Sequence, residues 1–147
     1  MKLLVCGSRD WTDYGRVFAE INREAPTEIV HGAARGADAL ADDAARDLGI
    51  HRVPFPADWA AHGRAAGPIR NRRMLAQARP DRGLAFGALW WLWTKQDGAL
   101  GVVAAQWKRT GTGDMVQRML DARVPVRWIP EPGGASVDLA EMPKAPP

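Results

Sequence analysis

The chain of 147 residues is 46% hydrophobic and 25% charged, the balance of a globular protein long enough to bury its own core. No apolar run reaches eighteen residues, which argues against a membrane span. The lone Cys6 rules out an internal disulfide and fits a reducing cytoplasm. Twenty Lys and Arg against seventeen Asp and Glu leave a net charge of +3, too diluted by acids to argue for nucleic acid by itself.

The opening "MKLLVCGSRD" has too short an apolar part for a signal peptide. "KLLVC" (2–6) reads instead as a buried strand stopped by Gly7 and Ser8. Thr12 or Asp13 caps a helix with Val17, Phe18 and Ile21 on its apolar side, ended by Pro26. "TEIVH" (27–31) is a second strand. The run "HGAARGAD" then leads into an alanine-rich helix from about Ala37 to Leu48, closed by Gly49. "HRVPF" (51–55) is a third strand, kept short or at an edge by Pro54. "PADWAAHGRAAG" reads as loop, and Pro68 begins a helix to about Ala78. "RGLAF" (82–86) is a fourth strand, followed by a tryptophan-rich insertion over 88–110. Thr112, Gly113 and Asp114 open a helix to about Ala122, and "VPVRWI" (124–129) is a fifth strand. Residues 1–130 thus read as one domain and 131–147 as a loose tail rich in Pro and Gly.

Strands alternating with helices predict an α/β fold, a parallel sheet of about five strands with helices on both faces. Such sheets bind ligands at the carboxyl ends of their strands. Three small-residue turns fall on that edge: "GSRDW" (Gly7, Ser8, Arg9), "HGAARGAD" (Gly32, Arg35, Gly36, Asp38) and "RTGTGD" (Gly111, Thr112, Gly113, Asp114). Together they can turn backbone N–H groups and helix N-termini toward one anion. Asp58, Trp59, His62 and Arg64 lie in a loop crossing the same rim. Arg70 and Met74 share one face of the helix after it, as do Asn71 and Leu75. No G-x-x-x-x-G-K-[ST] or G-x-G-x-x-G is present, which disfavours P-loop and dinucleotide-enzyme chemistry. His31, His51 and His62 are scattered, so neither a metal nor a cofactor is expected. His31 is expected to make a local hydrogen bond.

Taken jointly, "GSRDW", "HGAARGADALAD", "DWAAHGRAAGPIRNRRM" and "GTGDM" resemble the SLOG superfamily of Rossmann-like domains. The likeness is greatest to the small YspA-like proteins of bacteria, phages and mobile elements, and covers residues 2 to 129. It implies a Rossmann-like fold and a nucleotide or nucleotide-derived ligand at the strand ends. The superfamily includes the LOG phosphoribohydrolases, which cleave the N-glycosidic bond of a nucleoside monophosphate. Their R-K-x-x-M helix start is similar to Arg70-Asn71-Arg72-Arg73-Met74, which gives Arg70 the place of a catalytic arginine. Their P-G-G-x-G-T-x-x-E loop is similar in part to "KRTGTGDM", with Gly111 and Thr112 on the phosphate-cradling pair. The glutamate position falls on Met115, which can be neither acid nor base. Asp114, rotated about 100° from it around a helix, and Asp38 are the candidate replacements.

Binding of a nucleotide-derived molecule, as a sensor or sequestering module, therefore leads. N-glycosidic cleavage is the alternative, and a DNA-binding role like that of DprA is disfavoured by the lack of a long basic stripe. Trp90, Trp91, Trp93 and Trp107 carry apolar area that needs cover. Contact between copies of the chain is the first reading of that segment, an internal satellite core the second, and base stacking the third.

Overall fold

The computed structural model describes residues 1–147. Its main sheet has six strands in the order β3-β2-β1-β4-β7-β8. They are β1 (Lys2–Gly7), β2 (Glu28–His31), β3 (His51–Pro54), β4 (Arg82–Phe86), β7 (Val126–Ile129) and β8 (Val137–Leu139). The first five run parallel and β8 antiparallel, so the architecture is the expected Rossmann-like α/β with one added strand.

Side-chain alternation along β1 explains the layers. Leu3 and Val5 enter a core shared with α1 (Tyr14–Glu24) and α2 (Ala37–Leu48). Leu4 and Cys6 enter the opposite core, with α4 (Ala66–Ala78) and α5 (Gly111–Asp121). A strand covered on both faces must be apolar at every position, which is why "LLVC" has no polar member. In α2 the buried side chains against the sheet are Ala37, Ala41, Ala44 and Ala45, small enough to bring the helix close to the strands.

Local signals set the helix ends, with two departures from the sequence reading. Asp13 caps α1 by accepting from Arg16 N at 3.0 Å. The "PADWAAHG" stretch is helical rather than loop. Asp58 caps the short α3 (Trp59–His62), and a 3-10 turn over Gly63–Ala65 runs into α4 at Ala66. Pro68 sits inside the first turn of α4, where a missing N–H costs no intrahelical bond. Thr110, not Thr112, caps α5, its Oγ1 accepting from Gly113 N at 2.9 Å.

The tail also departs from expectation, because its first half is docked. β8 pairs with β7, Asp138 Oδ1 accepts from Arg127 Nε at 3.1 Å and from Arg82 Nη2 at 3.2 Å, and Arg16 Nη1 donates to Gly134 O at 2.7 Å. Composition suggested looseness; long-range charge pairs and a short ladder override it.

The tryptophan-rich insertion forms an antiparallel ribbon of β5 (Trp90–Asp97) and β6 (Gly101–Arg109), a sheet of its own with a bulge between Lys95 and Gln96. Trp90 Nε1 donates to Pro143 O at 2.9 Å, and Lys108 Nζ stands 4.9 Å from the Trp93 ring centre. Trp91, Leu92, Leu100, Val102 and Val103 remain exposed.

A candidate ligand cleft at the strand ends

The strand order reverses between β1 and β4, so their carboxyl ends diverge into a crevice, the usual ligand position in an open α/β sheet. A cleft of about 800 Å³ opens there. Ser8 N donates to Phe86 O at 2.8 Å, fixing the β1 turn to the end of β4. Ser8 O in turn accepts from Ala37 N at 3.0 Å, locking the first turn to the N-terminus of α2. Gly36, at φ +76°, makes that contact feasible because a Cβ would strike Ser8 O.

Asp38 in the first turn of α2 organises the second turn. Its Oδ2 accepts from Gly32 N at 3.1 Å and Ala34 N at 3.3 Å. Burial pushes this carboxyl above the usual carboxylate range, opposed by the Ala34 bond and by the charge of Arg70. His31 holds the same turn locally: Nδ1 accepts from Ala33 N at 3.0 Å, which leaves the proton on Nε2 to donate to Asp42 at 2.8 Å.

Arg70 reaches across from α4. Its Nη1 donates to Gly32 O and, at 3.4 Å, to Phe55 O, and its Nε donates to Asn71 Oδ1 at 2.9 Å. Nη2 has no partner within the protein. Burial lowers the pKa of this guanidinium, only partly offset by Asp38. The charged form is therefore one that an arriving anion would stabilise. Asn71, buried, passes the linkage on: its Nδ2 donates to Asp114 Oδ2 at 3.0 Å and to Gly111 O at 3.3 Å. Asp114 Oδ2 also accepts from Arg118 Nε at 2.8 Å, so this carboxylate is already neutralised. Met115 is 1% exposed and belongs to the core beneath. Cys6 at the cleft floor has its thiol pushed far up by burial, with Asp38 adding to the shift, and is no nucleophile.

Four arginines line the cleft, Arg9, Arg64, Arg70 and Arg109, and none has a carboxylate within 4.0 Å. Arg9 instead lies 5.0 Å from the centre of the Trp59 ring, a contact worth about 0.5–1 kcal/mol at an exposed site.

Of the residues singled out in the sequence, Gly7, Ser8, Arg9, Gly32, Asp38, Trp59, Arg70, Asn71, Gly111, Thr112 and Asp114 line this one cleft. Arg35 lines a smaller adjoining hollow and pairs with Asp10 at 3.8 Å. Gly36, Asp58 and Gly113 do not line it; the first is a packing position and the other two serve helix caps. Arg64, from the loop expected to cross the rim, also lines the cleft, as do Trp90 and Trp91 at the ribbon base, where base stacking was the third reading; sequence reasoning missed Arg109 and Thr110 as lining residues. Arg109 and Thr110 were legible in principle, since they begin the "RTGTGD" turn.

Residues 1–62, from β1 through α3, match the YspA, cpYpsA-related SLOG family. The "Gene 61 protein" of Mycobacterium phage D29 is 39% identical over 95 residues, covering 58% of this chain and 75% of the phage protein. The chain belongs to the YspA, cpYpsA-related SLOG family. At family level this membership supports a nucleotide-related binding or phosphoribohydrolase-like role. No solved structure matches the chain. The SLOG match takes in the first two turns of the cleft, whereas Arg70, the ribbon and α5 lie beyond it. No helix of this SLOG protein is long and apolar enough to cross a membrane.

Proposed function

We propose that the protein binds a nucleotide or a nucleotide-derived small molecule in the cleft at the strand ends. One observation carries this reading: four arginines without acidic partners gather around one cleft of about 800 Å³. Guanidinium groups not engaged by a carboxylate are suited to bidentate pairing with phosphate, and the size suits a small molecule. Arg70 supplies the central phosphate contact through its unengaged Nη2, and the Gly111–Thr112 turn adds backbone donors at the start of α5. Trp59, Trp90 and Trp91 offer flat apolar surface for a base.

N-glycosidic cleavage is the second reading, favoured by Asp38, a buried carboxyl beside Arg70 whose pKa is raised as a proton donor's would be. Against it stand the buried Met115 at the glutamate position and the engagement of Asp114 by Asn71 and Arg118. Binding without turnover fits this set better.

The exposed ribbon we assign to contact between copies of the chain. Five of the eight exposed large hydrophobic residues lie on it, and a lone two-stranded ribbon is marginal in water.

Purified protein titrated with a panel of nucleotides and read by thermal shift tests the binding reading, with chromatography for released base. A saturating ligand at about a hundred times its Kd adds about 2.7 kcal/mol, and Arg70→Ala should abolish the shift. Free base that vanishes in Arg70→Ala and Asp38→Asn would establish the hydrolase instead. No shift with any nucleotide would refute both.

A further inference from the structure

The cleft does not end at Trp59. A second hollow of about 370 Å³ lies beside it, with Arg35, Pro56 and Ala57 on its own side. Arg9, Gly32, Ala34, Trp59 and Arg70 line both hollows. Arg9 and Arg70 are therefore the two cationic residues common to both hollows. Arg9 lies over the Trp59 ring, and Arg70 is held by Gly32 O and Phe55 O. Neither has a carboxylate partner within 4.0 Å.

Two cations common to both hollows and without a directly paired carboxylate match two adjacent negative charges in the middle of a ligand, with organic groups leading away on both sides. A mononucleotide carries its charge at one end and would fill one hollow only. The larger hollow has the additional tryptophans, Trp90 and Trp91, and suits a base. The smaller has Arg35 and no aromatic residue beyond the shared Trp59, and suits a hydroxyl-rich group.

Resting on the nucleotide reading above, we propose that the ligand is a nucleoside diphosphate whose terminal phosphate is esterified to a polar group such as a sugar. Its diphosphate crosses Arg9 and Arg70, its nucleoside lies in the larger hollow and its second substituent in the smaller one beside Arg35.

Isothermal titration with three matched series tests this: UMP, UDP and UDP-glucose; AMP, ADP and ADP-ribose; GMP, GDP and GDP-mannose. In one series the esterified diphosphate should bind at least about tenfold more tightly than its monophosphate. It should also bind more tightly than the matching diphosphate, and Ala57→Trp, which fills the smaller hollow, and the exposed Arg35→Glu should each bring the ratio of conjugate to diphosphate to within about twofold of unity. Circular dichroism checks that both variants fold. A monophosphate equal to its conjugate in every series that binds overturns this inference and leaves the nucleotide reading standing. So does a ratio unchanged in both folded variants. Absence of binding by every compound overturns the nucleotide reading itself, and this inference with it.

Discussion

Gly7 ends β1 and Gly32 follows β2 at the cleft, yet an added methyl group would meet different things. At Gly32 it would strike Arg70 Nη1 and lie 2.9 Å from Asp38 Oδ2, the far ends of two side chains. At Gly7 it would lie 2.5 Å from Ala37 Cβ and 2.7 Å from Phe86 O, neither of which can swing aside. Gly7→Ala should therefore cost about 1–3 kcal/mol in chemical denaturation, the usual price of overpacking. Gly32→Ala should cost less than about 1 kcal/mol, yet weaken nucleotide binding by displacing the guanidinium. Asp38 makes a separate prediction. Its pKa is raised by burial, so the stability it contributes is present below its unfolded value, near the ordinary carboxylate range, and is lost as pH rises through the folded value. Asp38→Asn keeps an oxygen for the Gly32 and Ala34 amides but cannot ionise. Its melting temperature relative to wild type should rise as pH increases from about 4 toward neutrality; a constant difference across that range would count against a strained carboxylate. Arg70 and Asp38 were legible in the sequence because a charge among glycines and alanines has few structural uses. Asp58 and Gly113 were not separable from ligand contacts, since helix caps and phosphate loops draw on the same small and acidic residues.

Among the elements of the main sheet, β8 gains little from apolar packing, with Val137 and Asp138 exposed and only Leu139 partly buried against the core. Its anchor is Asp138, 70% exposed, between Arg82 and Arg127, which in turn meet Glu24 from α1 at 3.0 and 3.3 Å. The Arg127 bond, foremost, holds the Asp138 carboxyl below its ordinary range. Stability from a depressed carboxyl is present above the unfolded value and lost as pH falls through the folded one. Amide protection factors over residues 137–139, taken against the intrinsic exchange rate at each pH, should fall on acidification while those of β1 and β4 hold, and Asp138→Asn should give the same pattern at neutral pH. The periodic elements were legible because period and capping are local. β8 was not, since three residues in a Pro- and Gly-rich run carry no period, and the arginines that hold them lie 11 and 56 positions away.

For the whole molecule, the proposal that the ribbon joins copies of the chain bears on behaviour in solution. Light scattering should give a mass above the 16.1 kDa of one chain, and a combined Leu92→Ser and Val103→Ser variant should return it to one chain. A single-chain mass in the unaltered protein would remove the assignment. That the segment would need cover was evident from its tryptophans; that it projects as a ribbon was not, because its strands pair only with each other. The two ends of the main sheet bear on this as well. β3 is four residues long and finishes at Pro54, and β8 is three, so neither border can template much further pairing. The vacant peptide groups along β5 and β6 run for eight and nine residues. An extended segment seeking a ladder would be steered to them. β5 begins at Trp90 and β6 ends at Arg109, both residues of the cleft lining, so a newcomer paired at that end of the ribbon would settle beside the mouth of the candidate cleft and change how readily small molecules enter and leave.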